Sequence, residues 1–149
     1  MIYRHYYRDA VDAGVTPVRI VRKAEKQSGS FAVLATEEPS GPQRQVLLMT
    51  GKTGRDKIPL LLGDDSTVAN IVGSVMVRTQ EQRLVGVIGF ASDSEAQAIR
   101  ARYLAGELKL HLTTRPITGM ELRRGESFSG VAGPAVVLTQ WEPLQCVLE

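Results

Sequence analysis

Three basic residues form the densest positive cluster in a predicted loop of this chain: Lys52, Arg55 and Lys57. Ammonium and guanidinium groups make charge-assisted hydrogen bonds to phosphate oxygens, so such a loop at the mouth of a barrel can hold a phosphate. A solvated surface cluster is the alternative. Gly51, Lys52 and Thr53 match the end of a nucleotide-binding loop, but Val46 stands where that pattern requires its first glycine. We therefore expect a hairpin turn here and no nucleoside triphosphatase.

Metal and thiol chemistry have few candidate residues. The chain has one cysteine and two histidines, which is too few to supply four Cys or His ligands to a structural zinc ion within one chain. The lone Cys146 excludes an intrachain disulfide, and its apolar neighbours give no sign of a lowered thiol pKa. His5 lies near the N-terminus and His111 on the polar side of an alternating strand, so both are expected at the surface. The sequence predicts no metal site and assigns no catalytic residue.

The size and composition of the chain are those of an ordinary soluble domain. It has 149 residues, of which 43% are hydrophobic and 23% charged, and its formal net charge is +2. One core is expected at this length, and the nearly balanced charge predicts no nucleic-acid partner. The start of the chain lacks the apolar run of a signal peptide, and no apolar stretch approaches the roughly 20 residues of a membrane helix. We expect one cytoplasmic domain over residues 1–149, without a membrane partner, in which residues 1–15 are flexible or contact a dimer partner.

The first half of the chain predicts a helix followed by short strands. Thr16 and Pro17 suit the start of a helix that continues to residue 27, and Gly29 suits its end. Turn residues separate three β-rich runs at residues 31–36, 46–50 and 58–62, which indicates a meander of three strands. A short helical segment is expected over residues 67–71, after capping residues 64–66 and before Gly73.

The second half predicts a hairpin, a helix and three further strands. Strands over residues 75–79 and 83–90 flank a polar turn. Ser92 and Glu95 form a capping box for a helix that runs to about Ala105. Apolar residues alternate with polar ones from Leu108, and strands follow at residues 117–122 and 131–139. Runs of strands broken by isolated helices predict an α+β fold with a mainly antiparallel barrel or sheet.

Four segments carry a resemblance to a known family: residues 22–36, 44–49, 66–71 and 83–91. They resemble, in this order, the lead helix with the first strand, the flavin-contacting strand, a helix start that grips the flavin phosphate, and a later strand of the split-barrel flavin-binding superfamily that contains pyridoxamine phosphate oxidase. The resemblance implies an antiparallel split β-barrel with flanking helices, a homodimer with cofactor sites between subunits, and FMN as cofactor. It places Arg44, Ser66 and Thr67 at the phosphate or ribityl chain, and the backbone of Leu47 and Leu48 against the flavin ring.

Four positions depart from the pattern of that superfamily. Met49 and Val68 stand at lysine positions, Thr67 at an arginine position and Leu84 at a glutamine position. Each charge-assisted hydrogen bond is worth roughly 1.5–3 kcal/mol, so these changes weaken the expected phosphate contacts. Lys52 and Arg55 are the available substitutes.

Two other branches of the superfamily are similar to parts of the chain. Residues 47–60 look like a shortened form of the cofactor-phosphate segment in deazaflavin-dependent nitroreductases, which implies phosphate contacts by Lys52 and Arg55. Residues 95–105 look like a helix of haem-degrading split-barrel proteins, and a haem site would use His5 or His111 as axial ligand.

Three functions therefore stay open at the level of sequence. The first is a flavin- or deazaflavin-dependent oxidoreductase, in which the cofactor performs the redox step. The second is a haem-binding or haem-degrading barrel. The third is a cofactor-free dimeric scaffold or small-ligand-binding barrel, which the apolar residues Met49, Val68 and Leu84 favour.

Overall fold

A computed structural model describes residues 30–63 and 70–149, together with the backbone of three short strands before residue 30. Strands dominate the described residues. They are β1 (Arg8–Asp9), β2 (Ile20–Lys23), β3 (Lys26–Ser28), β4 (Phe31–Thr36), β5 (Gln45–Leu47), β6 (Lys57–Leu62), β7 (Ile71–Gln80), β8 (Arg83–Phe90), β9 (Leu110–Leu122), β10 (Ser127–Phe128), β11 (Val131–Ala132) and β12 (Ala135–Leu148). The described part also contains helix α1 (Ser94–Leu104) and a 3-10 turn at Met49–Gly51.

Ten of these strands form one curled, mixed sheet with the shape of a half-barrel. The strand order is β1-β9-β12-β6-β7-β8-β4-β3, while β2 also pairs with β9 and β5 also pairs with β12. Strand β12 runs parallel to β5 and β6, and the other pairings are antiparallel. The expected β-rich α+β class is therefore confirmed, whereas the sheet is mixed.

The long strands β9 and β12 form the centre of the sheet. Nearly every residue of β12 is buried, which is typical of a strand covered on both faces. Pro116 and Pro143 lie inside β9 and β12, where a missing N–H interrupts the hydrogen-bond ladder. The pairing of β9 with β12 shifts register near both prolines. One shift lies between Gln140 and Trp141, and Trp141 is the residue that pairs with Pro116; another lies between Pro143 and Gln145.

The hydrophobic core lies on both sides of this central region. The main cluster fills the inside of the curl and contains Trp141, which is fully buried, together with leucines from six strands. A smaller cluster lies on the other side: Val46, Leu48, Met120, Leu122 and Val137. Side chains of the β10–β11 hairpin, Phe128 and Val131, pack against it. Leu47, the last residue of β5, packs in the main cluster, and the next residue, Leu48, packs in the smaller one.

The predicted N-terminal helix is wrong where the structure describes it. Ile20–Lys23 and Lys26–Ser28 are strands, paired with β9 and β4 respectively. The helix prediction relied on apolar spacing, but β-branched Ile20 and Val21 suit a strand, and pairing with β9 outweighs the local preference. Thr16, Pro17 and Gly29 lie outside the described residues.

The predicted three-strand meander is also wrong. Strand β4 pairs with β3 and β8, while β5 and β6 pair with different parts of β12. The second run ends as strand at Leu47 and continues into the 3-10 turn. Of the expected short helix, residues 64–69 lie outside the described residues, and Ile71 opens strand β7. Turn spacing indicated the strands correctly but carried no information on which strands pair.

The predicted hairpin and the second helix are confirmed. Strands β7 and β8 pair in register on either side of Glu81 and Gln82. Helix α1 buries Ala96, Ile99 and Tyr103 as their spacing predicts, but its cap is Asp93, whose carboxylate accepts a 2.8 Å hydrogen bond from the Ala96 N–H. Among the described residues, no helix combines the length and apolar character that crossing a membrane requires.

The C-terminal strand boundaries differ from the prediction. Residues 110–122 form one unbroken strand, β9, instead of two. The predicted strand at 131–139 is divided into β11 and the start of β12, which continues to Leu148.

Candidate functional site

Two of the residues expected to contact a flavin, Arg44 and Lys52, line different cavities. Arg44 is exposed at a cavity of about 310 Å³ that also contacts Glu121 and Pro134. Its φ is +50°, and its Nε donates a 2.9 Å hydrogen bond to the Pro134 carbonyl. Lys52 lines a different cavity. Ser66 and Thr67 lie outside the described residues.

Leu47 and Leu48 serve as core residues. Both side chains are buried. The Leu48 N–H donates to Leu138, and its carbonyl accepts from the Gly51 N–H and the Trp141 indole. The Leu48 backbone is therefore already hydrogen bonded within the fold, as is Leu47 through its pairing with β12.

Of the three basic residues in the loop, Lys52 is largely buried, and Arg55 and Lys57 lie at the surface. The Lys52 side chain is only 11% exposed, and its Nζ lies 2.6 Å from a carboxylate oxygen of Asp56, which is 75% exposed. Arg55 and Lys57 are exposed. Because one partner is well solvated, this ion pair is worth at most about 1 kcal/mol. An anionic ligand can therefore compete with Asp56 for the Lys52 ammonium.

Lys52 and Asp56 form one wall of a cavity of about 520 Å³, which we name the Lys52 groove. This volume falls within the roughly 300–1,000 Å³ typical of small-molecule sites. Six of the residues that line it are Phe31, Lys52, Asp56, Met76, Arg78 and Val87.

The apolar wall of the Lys52 groove is a row across three strands. Val87 of β8 lies directly opposite Phe31 of β4 and Met76 of β7. Directly opposite residues of antiparallel strands project from the same face, so the three side chains form a continuous strip. Phe31 is 37% exposed, Val87 52% and Met76 51%, which is unusual for adjacent apolar side chains of this size. We name this strip the apolar row.

A second cation stands at the groove, on the strand that carries Met76. Arg78 lies two residues further along β7, hence on the same face, and is exposed. Its Nη2 donates a long, 3.4 Å hydrogen bond to the side-chain oxygen of Gln80. The Lys52 groove therefore combines an apolar strip with two basic side chains.

Sequence reasoning found Lys52 and missed the other groove residues. Met76 and Arg78 alternate with buried Val75 and Val77, so their outward orientation was readable from the pattern. An apolar Met76 at an outward position was the available signal. The alignment of Phe31 with Val87 depends on the pairing of β4 with β8, which the sequence did not predict.

Two buried titratable side chains lie away from the groove, in the main core. Burial raises the pKa of the Cys146 thiol to about 12. Burial, with a smaller contribution from a nearby Cys146 charge, raises the pKa of Tyr103 to about 12 as well. The thiol is therefore protonated at neutral pH and unsuited to act as a nucleophile.

Of the two possible haem ligands, the structure describes His111, which does not line the Lys52 groove. His111 is half-buried on β9, instead of at the surface as expected, and its Nδ1 finds no hydrogen-bond partner among the described residues. His5 lies outside them. Within residues 30–63 and 70–149, no group of three or more His, Cys, Asp or Glu side chains is arranged to hold a metal ion.

Comparison of the chain with protein-family models, curated proteins and solved structures finds no match.

Proposed function

We propose that this protein binds a small phosphorylated ligand with a planar, largely apolar body in the Lys52 groove. FMN is the first candidate. The observation that carries the proposal is the apolar row lying in the same cavity as Lys52 and Arg78. The earlier resemblance to flavin-binding split barrels supports this choice of ligand, and a deazaflavin has the same combination of phosphate and planar rings.

The dimensions of the apolar row suit a fused ring system. Neighbouring strands lie about 4.8 Å apart, so the row from Phe31 through Val87 to Met76 extends about 10 Å across the sheet. A planar aromatic ligand lying on this strip would cover three exposed apolar side chains. Their burial supplies about 25 cal/mol for each Å² removed from water.

The basic residues suit the phosphate. Phosphate oxygens can accept from the Lys52 ammonium and the Arg78 guanidinium, and each such bond is worth roughly 1.5–3 kcal/mol. Asp56 must release Lys52 first, which costs little because Asp56 is well exposed. A bound flavin would supply hydride or electron transfer, and the chain would supply phosphate contacts and orientation.

Flavin fluorescence titration tests this assignment. We expect Lys52→Gln and Arg78→Gln each to weaken FMN binding about tenfold or more, the loss of one charge-assisted hydrogen bond. Lys109→Gln is the matched control, since it removes one exposed positive charge elsewhere. Arg44→Gln should also bind normally. Loss of binding in Arg44→Gln with normal binding in Lys52→Gln would instead support the site implied by the resemblance.

A cofactor-free homodimer is the second candidate, and the same apolar row favours it. Exposed apolar strips on a sheet face commonly mark protein contacts. Under this function the wild type sediments as a dimer and Val87→Lys abolishes it, whereas Leu104→Lys, at an exposed apolar residue of α1 outside the groove, is the control that leaves the dimer intact. A dimer that depends on Val87 in a protein that binds no FMN would favour the scaffold function over the ligand-binding function.

A further inference from the structure

Three residues in an uncommon backbone conformation converge on one cavity. Four non-glycine residues of the described chain have positive φ: Arg44, Glu81, Gln82 and Ser129. The last three have φ values of +51°, +63° and +48°, and all three line a cavity of about 430 Å³. Positive φ is uncommon for residues with a side chain, and such residues cluster at functional sites.

The two hairpins that supply these residues would be less strained with glycine. Glu81 and Gln82 form the two-residue loop between β7 and β8, and Ser129 precedes Gly130 in the loop between β10 and β11. Two-residue loops with positive φ at both positions strongly favour Asn-Gly or Gly-Gly. The chain places longer polar side chains at Glu81 and Gln82, and both side chains border the cavity.

We name this cavity the Glu37 cavity, and no basic residue lines it within the described part of the chain. Its polar lining residues are Glu37, Thr50, Thr79, Gln80, Glu81, Gln82 and Ser129. The exposed Glu81 carboxylate lies 3.6 Å from the Arg83 guanidinium, just outside the lining. Glu37 is half-buried and held in place, since its Oε2 accepts a 2.8 Å hydrogen bond from the Met49 N–H. Leu48 and Met49 supply an apolar part of the wall.

These groups suit a neutral ligand with several hydroxyl groups. Carboxylates accept hydrogen bonds, amides both donate and accept, and hydroxyls do either, so together they can pair with adjacent hydroxyls of a sugar. The half-buried carboxylate of Glu37 disfavours anions, whereas the exposed Glu81 is paired with Arg83, and this charge distinguishes the cavity from the basic Lys52 groove. We propose that the Glu37 cavity is a carbohydrate-binding site of monosaccharide or disaccharide size, beside the Lys52 groove and different from it in the ligand it takes.

The strained residues provide a test in which binding and stability move differently. Gln82→Gly and Ser129→Gly each remove a cavity side chain and relieve a positive φ. Thr79 borders both cavities and is therefore left unchanged. Saturation-transfer NMR with glucose, galactose, mannose, maltose and lactose should detect binding to the wild type. We expect at least tenfold weaker binding in both variants, without a fall in the thermal midpoint.

Arg44→Gly is the matched control, because it changes the fourth positive-φ residue, which borders another cavity. It should leave sugar binding unchanged. Three results would overturn the proposal: no sugar of the panel binds the wild type at millimolar concentration, the glycine variants bind as well as the wild type, or spermidine binds in preference to every sugar. The last result would identify a site for cationic amines.

Discussion

The indole Nε1 of Trp141 donates a 2.8 Å hydrogen bond to the backbone carbonyl of Leu48. The carbonyl of Trp141 in turn accepts from the Thr53 N–H at 2.8 Å. One fully buried residue of β12 therefore holds both ends of the segment that carries Lys52. The position of the Lys52 ammonium at the groove depends on this attachment.

Replacing Trp141 by Phe should destabilise the protein and loosen that segment. The variant keeps an aromatic ring but loses the N–H and leaves a small void, at a cost of about 1–3 kcal/mol. Leu48 keeps its bond from the Gly51 N–H, which limits the loss. Urea unfolding measures the change, and exposed Leu104→Ala is the control with little effect. An unchanged unfolding midpoint in Trp141→Phe would show that the attachment contributes nothing.

Gly51 is expected to tolerate no side chain. A Cβ at this position would overlap the backbone carbonyl of Thr139 on β12, and main-chain atoms of a central strand cannot move aside easily. Gly51→Ala should therefore cost about 2 kcal/mol or more. Gly89→Ala is the matched control, since a Cβ at Gly89 would lie 3.8 Å from the Ser74 carbonyl oxygen, an ordinary van der Waals contact. Equal thermal midpoints for the two variants would contradict the packing described for Gly51.

Stability should fall in alkaline solution because of Cys146. Burial raises the pKa of its thiol to about 12 from an ordinary value of 9.0, so the folded protein holds this proton more tightly than the unfolded chain does. This contribution is complete below pH 9 and is lost as the pH rises from about 9 through 12. Tyr103 acts in the same direction.

Urea unfolding as a function of pH tests this dependence. Cys146→Ala should be less stable than the wild type at pH 7, because it leaves a cavity, but should lose less of its remaining stability between pH 9 and about 11. If the unfolding free energies of the variant and the wild type fall in parallel as the pH rises, Cys146 does not contribute to the loss of stability in alkaline solution.

Asp93 should stabilise helix α1 as its N-cap. Its carboxylate accepts the Ala96 N–H, and removing such a cap typically costs about 1 kcal/mol. Asp93→Ala should lower the unfolding midpoint accordingly, whereas Ser92→Ala should have little effect. The opposite order would restore the capping box that the sequence predicted at Ser92 and Glu95.

Local signals in the sequence were sufficient for part of this fold. The β7–β8 hairpin and helix α1 follow from alternation, turn residues and helical spacing over short stretches of chain. The N-terminal helix was mispredicted because Ile20–Lys23 pairs with a strand some 90 residues later, and no local pattern reveals that partner. Parallel pairing of β12 with β5 and β6 is equally nonlocal.

The candidate site was also predictable only where it depends on local sequence. A cluster of basic residues drew attention to Lys52, and the structure places it at a groove. The apolar row joins Phe31, Val87 and Met76 only because three strands pair in one register. A shift of one residue would turn these side chains to the opposite face. Contacts of this kind depend on strand pairing, which residue types alone do not determine.

Methyl NMR during FMN addition tests the central claim most directly. With methionine and valine methyl groups labelled, a flavin ring lying on the apolar row should shift the Met76 and Val87 signals strongly. Met120, buried in the smaller core cluster, should keep its signal and serves as the internal control. Shifts confined to Val136, which borders the Arg44 cavity, or no shift at saturating FMN would contradict the proposed site.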